Sequence, residues 1–218
     1  MDIVALDGAL AGYGDAPVLR DLNLKIRAGE RIAIVGESGA GKTTLLRLLR
    51  ERSTAPVALV PQDLGLVQAL TVFHNVYMGR LDRHGLFTNL RNLVWPGRRE
   101  SSAVRALLDE VRLSDKLFTP VGQLSGGQRQ RVAVARALYA DAAILVGDEP
   151  VSAVDDLQAR DILDLLGARK ETVILALHDR NLALGFADRI VGLRGGRIVL
   201  DRPAAELSPA DLDPLYKP

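Results

Sequence analysis

The sequence has no cysteine, so disulfides and thiolate metal sites are excluded and a reducing compartment suits it. It has almost no net charge: 28 Lys and Arg against 27 Asp and Glu give +1. An overall field for nucleic acid or an anionic membrane surface is therefore not expected. No run of about 18 apolar residues occurs, so the chain is not expected to span a bilayer by itself. The opening MDIVALDGALAGYGD lacks the basic stretch and long apolar run of a signal peptide. Internal repeats and low-complexity segments are also missing. What remains is ordinary for a globular protein: 218 residues, 48% hydrophobic and 25% charged, enough for one domain with room for a smaller lobe. A cytoplasmic globular chain is the expectation.

Several short apolar runs end in glycine or acid and lead into helical patterns. Ile32 to Val35 precedes a glycine loop and then LLRLLRER, with leucine at helical spacing. Ala142 to Val146 precedes Gly147-Asp148-Glu149; beyond it Leu157, Ile162, Leu163 and Leu166 mark one helix face, with Gly167 at an expected C-cap. Thr172 to Leu177 leads to His178 and a short helix started by Asp179. Apolar strands alternating with helices predict a parallel sheet covered on both sides. The edges differ: residues 2–6 and 18–26 suggest antiparallel strands around a loop from Ala11 to Pro17, and residues 190–201 read as a hairpin turning at Gly195-Gly196. Residues 64–140 are mostly helical. Within them Ser101-Ser102 is placed to cap a helix bearing Val104, Leu107, Leu108 and Val111, and Arg91 to Glu100 reads as a loose surface loop.

Gly36-Glu37-Ser38-Gly39-Ala40-Gly41-Lys42-Thr43, with Thr44 next, matches G-x-x-x-x-G-K-[ST] between a predicted strand and helix. Glycines let backbone N–H groups curl around phosphate oxygens, and the helix N-terminus adds partial positive charge. Lys42 would reach the β- and γ-phosphates and Thr43 would ligate Mg²⁺. A triphosphate also needs a second metal contact and a positioned water. Asp148 is placed for the first, through the water shell of Mg²⁺, and Glu149 for the second, near the γ-phosphate as general base or water-orienting group. Two adjacent carboxylates at a buried strand end repel each other, so they are costly without a cation.

Leu124-Ser125-Gly126-Gly127-Gln128, followed by RQRVAVARAL and the acidic strand, resembles the signature of ATP-binding-cassette (ABC) ATPases. Physically, Ser125 and two glycines open a second helix whose free N–H groups suit an anion. The resemblance spans nearly the whole chain. It implies an α/β fold: a P-loop NTPase with a mainly parallel sheet core, an antiparallel β edge and a helical signature subdomain. Residues 1–63 and 141–218 would form the nucleotide-binding core, and 64–140 the helical subdomain. It also implies a head-to-tail dimer, in which the signature of one subunit closes over ATP held by the other. Gln62 resembles the glutamine that touches Mg²⁺ and the attacking water, and His178 the histidine at the γ-phosphate. Tyr13 resembles the aromatic that stacks on adenine, and Ser152 to Asp155 the loop crossing the dimer interface. One departure stands out. Lys42 and Gln62 are only 20 positions apart, and Ser53 to Pro56 leads straight to the next strand, where family members usually carry a hairpin. The β edge should be trimmed there.

The resemblance further implies ATP hydrolysis coupled to transport, with separate transmembrane permease subunits and a periplasmic or extracellular binding protein. No nucleic acid is expected. The ATPase would be a homodimer or a heterodimer, peripheral on the inner face of the membrane. LVQALTVFHNVYMGRL and GRIVLDRPAAEL are similar to ATPases of phosphonate-type importers. The alternative is a soluble ABC ATPase in a phosphonate-degrading or other assembly complex. Arg80, Arg83, Arg91, Arg98 and Arg99 form a basic cluster along the helical region, read as a solvated face, with a permease or phospholipid contact as the alternative.

Overall fold

Alternate residues of the short apolar runs face opposite ways, and both sets are buried. In the strand Arg31–Val35 (β3), Ile32 and Ile34 enter one core while Ala33 and Val35 enter another. Each such Ile contributes about 1.5–3 kcal/mol by burial, which favours a sheet covered on both faces. The computed structural model of the protein describes residues 2–13 and 16–216, with the side chains of Tyr13 and Ala16 outside that description. The remaining strands of this sheet are Val57–Val60 (β4), Ile144–Asp148 (β5), Thr172–Ala176 (β6), Arg189–Arg194 (β7) and Arg197–Pro203 (β8). Their order is β4-β5-β6-β3-β7-β8; β8 runs antiparallel to β7, and the other neighbours are parallel. A separate antiparallel pair, Asp2–Tyr13 (β1) and Ala16–Arg27 (β2), covers one face together with the helix Lys42–Arg52 (α1). The other face packs against Gly126–Tyr139 (α5), Asp156–Arg169 (α6) and Arg180–Phe186 (α7).

The hairpin turns at Gly195-Gly196 as expected, and Asp179 caps α7 by accepting from the Leu182 N–H. The edge is trimmed as expected too: Ser53 to Pro56 joins α1 to β4 directly, and the Thr54 N–H donates to the Ile3 carbonyl at 3.0 Å. Other expectations are corrected. The loop predicted from Ala11 to Pro17 is largely strand, because Ala11 pairs with Leu19 and Gly12 with Pro17 in the ladder. Gly167 lies inside α6, which runs on to Arg169 and packs this glycine near Arg31 and Phe186. Leu157 is exposed and Ala159 stands in its place on the buried face, where Ile162, Leu163 and Leu166 lie as expected.

Between β4 and β5 the described residues form Val72–Tyr77 (α2), Leu86–Val94 (α3), Arg98–Glu110 (α4), α5 and short 3₁₀ turns. Helix α4 begins at Arg98 behind Gly97, so Ser101 and Ser102 are interior to it. The loose loop expected from Arg91 to Glu100 is only the bend between α3 and α4. Buried Asn92 closes it by accepting from the Gly97 N–H at 2.7 Å and donating to the Tyr77 hydroxyl at 3.0 Å. Three of the five arginines brace this region: Arg83 pairs with Asp141, Arg91 with Glu100, and Arg80 lies over the Tyr139 ring.

Helix α3 is inverted relative to an ordinary surface helix. Its polar residues Asn89 and Asn92 bond inward to Tyr77, and the Leu93 carbonyl meets His74. Leu86, Phe87, Leu90, Leu93 and Val94, with Trp95 beyond, face outward; Phe87 is 82% and Trp95 78% exposed. Among the described residues no helix is long and apolar enough to cross a membrane.

Candidate functional site

Register across the parallel strands brings the predicted residues to one edge. Asp148 pairs with Ala176, and Ala176 with Ile34, so the ends of β5, β6 and β3 lie in one row. The glycine loop leaves β3, the acidic pair ends β5, His178 follows β6, and Gln62 follows β4. This carboxyl edge is where open α/β sheets bind ligands.

Loop residues Gly36 to Gly41 lead into α1, whose first residues are Lys42, Thr43 and Thr44. Gly36 has φ of 150°, and a Cβ there would collide with the Leu193 carbonyl, so only glycine lets the loop turn this close to β7. The Lys42 ammonium folds back on the loop, donating to the carbonyls of Gly36 at 2.8 Å and Glu37 at 2.9 Å. Burial pulls its pKa below the ordinary lysine value, opposed by the carboxylates of Glu149, Asp148 and Glu37. An anion in the loop would offer the ammonium a stronger partner than two neutral carbonyls.

Thr43 donates its hydroxyl to Asp148 Oδ2 at 2.6 Å. Asp148 is buried, and desolvation raises its pKa above the ordinary value; Thr43 works against this and Glu149 adds to it. Gln62 lines the same cleft as Thr43 and Asp148, a space of about 210 Å³. The turn beyond Gln62 is fixed by Arg136 of α5, which donates to the carbonyls of Leu64 and Gly65 at 2.6 and 2.5 Å. Two hard oxygens and an amide are too few for an all-protein metal cage, and no cluster of three acidic, His or Cys residues exists among the described residues. They fit Mg²⁺, which binds through one or two protein oxygens while keeping waters and phosphate ligands.

Glu149 has φ of 53°, an uncommon left-handed conformation for a residue with a Cβ. This turns its carboxylate toward His178, whose Nε2 meets Oε1 at 2.5 Å. Ser125 caps α5 as expected from its type: its hydroxyl accepts from the Gln128 N–H, and the Gln128 side chain accepts from the Ser125 N–H. Gly126 and Gly127 open the helix against residues 153 and 154; a Cβ on Gly127 would sit 2.8 Å from the Ala153 carbonyl. Among the described residues no hydrogen bond joins residues 125–128 with the glycine loop. The Tyr13 side chain lies outside the described residues.

Two residues escaped the sequence reading. Gln130 is buried on α5 and donates to the Glu149 carbonyl at 2.8 Å and to Ser152 Oγ at 3.2 Å, while accepting from the Ala153 N–H at 2.7 Å. A glutamine in the buried stripe with Ala133, Val134 and Ala137 is the signal available for it. Tyr216 places its hydroxyl 3.4 Å from the His178 carbonyl, bringing the last 3₁₀ turn to the site.

A glycine loop between a central strand and a helix, with paired acids at the carboxyl end of β5 one strand beyond its neighbour β6, defines a P-loop nucleoside triphosphatase. The sequence profile of the ABC transporter family matches residues 19–152, and the chain belongs to that family, as an ATP-binding ATPase cassette. It is 42% identical over 242 residues to a phosphonates import ATP-binding protein of Anaeromyxobacter dehalogenans, covering 98% of this chain and 48% of the relative. The chain thus spans about half of that relative's length. Relatives with the same description in Pseudomonas aeruginosa and Natronomonas pharaonis are each 40% identical, over 98% of this chain and 90% and 99% of their own lengths. Among solved structures, a bacterial ABC transporter cassette in dimeric form is 25% identical with a TM-score of 0.78, over 92% of this chain and 98% of that one. A dimeric post-hydrolysis state of an ATP-binding cassette bound to ADP and Pi is 26% identical with a TM-score of 0.75, over the same shares.

The raised pKa of Asp148 has a thermodynamic consequence. Folding penalises the ionised form, so the penalty is absent below the unfolded value of 3.8 and grows as pH rises toward the folded value. Asp148→Asn removes it while keeping an oxygen for the Thr43 hydroxyl. In the nucleotide-free chain this variant is expected to melt above wild type at pH 7, with the gain shrinking as pH falls toward about 4. A pH 7 midpoint at or below wild type, read by circular dichroism, would contradict the assigned burial cost.

Proposed function

We propose that this cassette drives import of phosphonates or related phosphorus oxyanions by hydrolysing ATP between two copies of itself or with a related subunit. The observation that carries the ATPase site is the convergence of Thr43, Asp148, Glu149 and His178 beside the Lys42 loop. Lys42 exchanges its two loop carbonyls for the β- and γ-phosphate oxygens. Thr43, Asp148 and Gln62 would hold Mg²⁺, which would supply charge neutralisation at the nucleotide. Glu149 orients the attacking water and accepts its proton, and His178 fixes the Glu149 carboxylate and faces the γ-phosphate. Ser125, Gly126, Gly127 and Gln128 close over the nucleotide of the partner subunit. The relatives described as phosphonates import proteins support import over the soluble assembly role.

Transport needs separate permease subunits, and the outward face of α3 supports a membrane-protein partner. A contiguous exposed apolar face on a soluble subunit marks an interaction site. Residues 64–140 form the subdomain that receives the permease, and 1–63 with 141–218 the core that binds nucleotide. The cassette works at the inner face of the membrane, with a periplasmic or extracellular binding protein delivering substrate.

Glu149→Gln is expected to lower turnover by roughly 10²-fold or more and to trap an ATP-dependent dimer in size-exclusion chromatography. Wild-type turnover in that variant would refute the role given to Glu149. Replacing Phe87 and Val94 together by Glu should release the cassette from membranes of cells that express its permease, leaving the ATPase rate of the purified chain unchanged. Undiminished membrane retention would remove α3 from the docking surface.

A further inference from the structure

We propose that Gln130 is a positioning residue of the hydrolysis site, tying the signature helix to the loop that carries Glu149. The inference rests on the reading of Glu149 as the water-orienting base and of the α5 N-terminus as facing a second subunit's nucleotide. Gln130 is 2% exposed, and each polar atom of its amide is used. Its orientation is unambiguous, because the Glu149 carbonyl only accepts and the Ala153 N–H only donates. One side chain therefore grips both ends of the turn from Glu149 to Ala153.

That turn needs gripping. A residue other than glycine held at φ of 53° persists only where its surroundings over-determine it. The Glu149 N–H is held by the Ala176 carbonyl at 3.1 Å, and the Glu149 carbonyl by Gln130, so the peptide groups on both sides of its Cα are fixed. Rotation at that Cα would swing the carboxylate away from His178. Gln130 lies five residues beyond the Ser125 cap, roughly 7.5 Å along the helix. Over that distance α5 also abuts the same turn at Gly127, with no room for a Cβ beneath the Ala153 carbonyl. A shift of the α5 N-terminus on meeting the partner's nucleotide thus reaches the subunit's own Glu149 through one amide. Gln130 makes the base of one composite site answer to occupancy of the other.

The test compares Gln130→Met, Glu149→Gln and the double variant in the full chain, with single-turnover ATP hydrolysis and ATP binding measured in parallel. Gln130→Met is expected to slow hydrolysis by roughly 10²-fold, with ATP affinity within about threefold of wild type. Because Gln130 acts through Glu149, adding it to Glu149→Gln should cost little further rate; a packing role would make the two losses multiply. Should Gln130→Met not fold, Gln130→Glu keeps the shape and the acceptor for Ala153 but removes the donor to Glu149, and the same result is expected. A Gln130 variant hydrolysing within about threefold of wild type, or losses that multiply, would overturn the proposal. Failure of the base reading is distinguishable, since then Glu149→Gln alone would keep its turnover.

Discussion

Asp148 ends a fully buried strand with its carboxylate out of water and a second carboxylate next to it. A pair of acids there is tolerable only where hydroxyl, ammonium and imidazole groups converge on it, and the chain supplies Thr43, Lys42 and His178 from two other strand ends. The parallel sheet makes this possible. Strands running the same way present their carboxyl ends in one row, and the register of Ile34, Ala176 and Asp148 sets that row to within a residue. Burial of both faces by β1, β2 and α1 on one side and α5, α6 and α7 on the other keeps the row rigid. The same burial raises the Asp148 pKa and lowers that of Lys42, so the nucleotide-free site stores an electrostatic cost that Mg²⁺ and phosphate would relieve.

Helix α5 links this row to the rest of the molecule. Ser125 caps its start, Gln130 holds the turn after β5, and Arg136 holds the turn after β4. A helix of 14 residues is a rigid rod of roughly 21 Å. The Glu149 turn and the turn beyond Gln62 are thus both hydrogen-bonded to one helix. The outward apolar face of α3 belongs to the same helical region, where a permease contact would bear on α5 through α2 and α4.

The positions that the fold gathers at one sheet edge were legible in the sequence because each sits at a local transition, from apolar strand to glycine loop, to acid pair or to histidine. Strand, loop and helix follow one another there within about ten residues, so spacing alone orders them. What escaped depends on distant partners. Gly167 reads as a helix stop until α6 is seen to continue over Arg31 and Phe186. Ser101 reads as a cap until Asn92 is seen to close the bend ahead of it. The segment from Arg91 to Glu100 carries loop residues, yet bonds between Asn92, Tyr77 and Gly97 turn it into two helices. Gln130 looks like one more polar residue of a charged helix start; only the fold reveals that three groups of the Glu149 turn meet it.

The Mg²⁺ site proposed at Asp148 and Thr43 can be measured by thermal unfolding with a non-hydrolysable ATP analogue, with and without Mg²⁺. Mg²⁺ should raise the midpoint by roughly 4 °C or more beyond the analogue alone in the wild-type chain, and that increment should vanish in Asp148→Asn. Equal midpoints with and without Mg²⁺ in the wild-type chain would contradict the assignment.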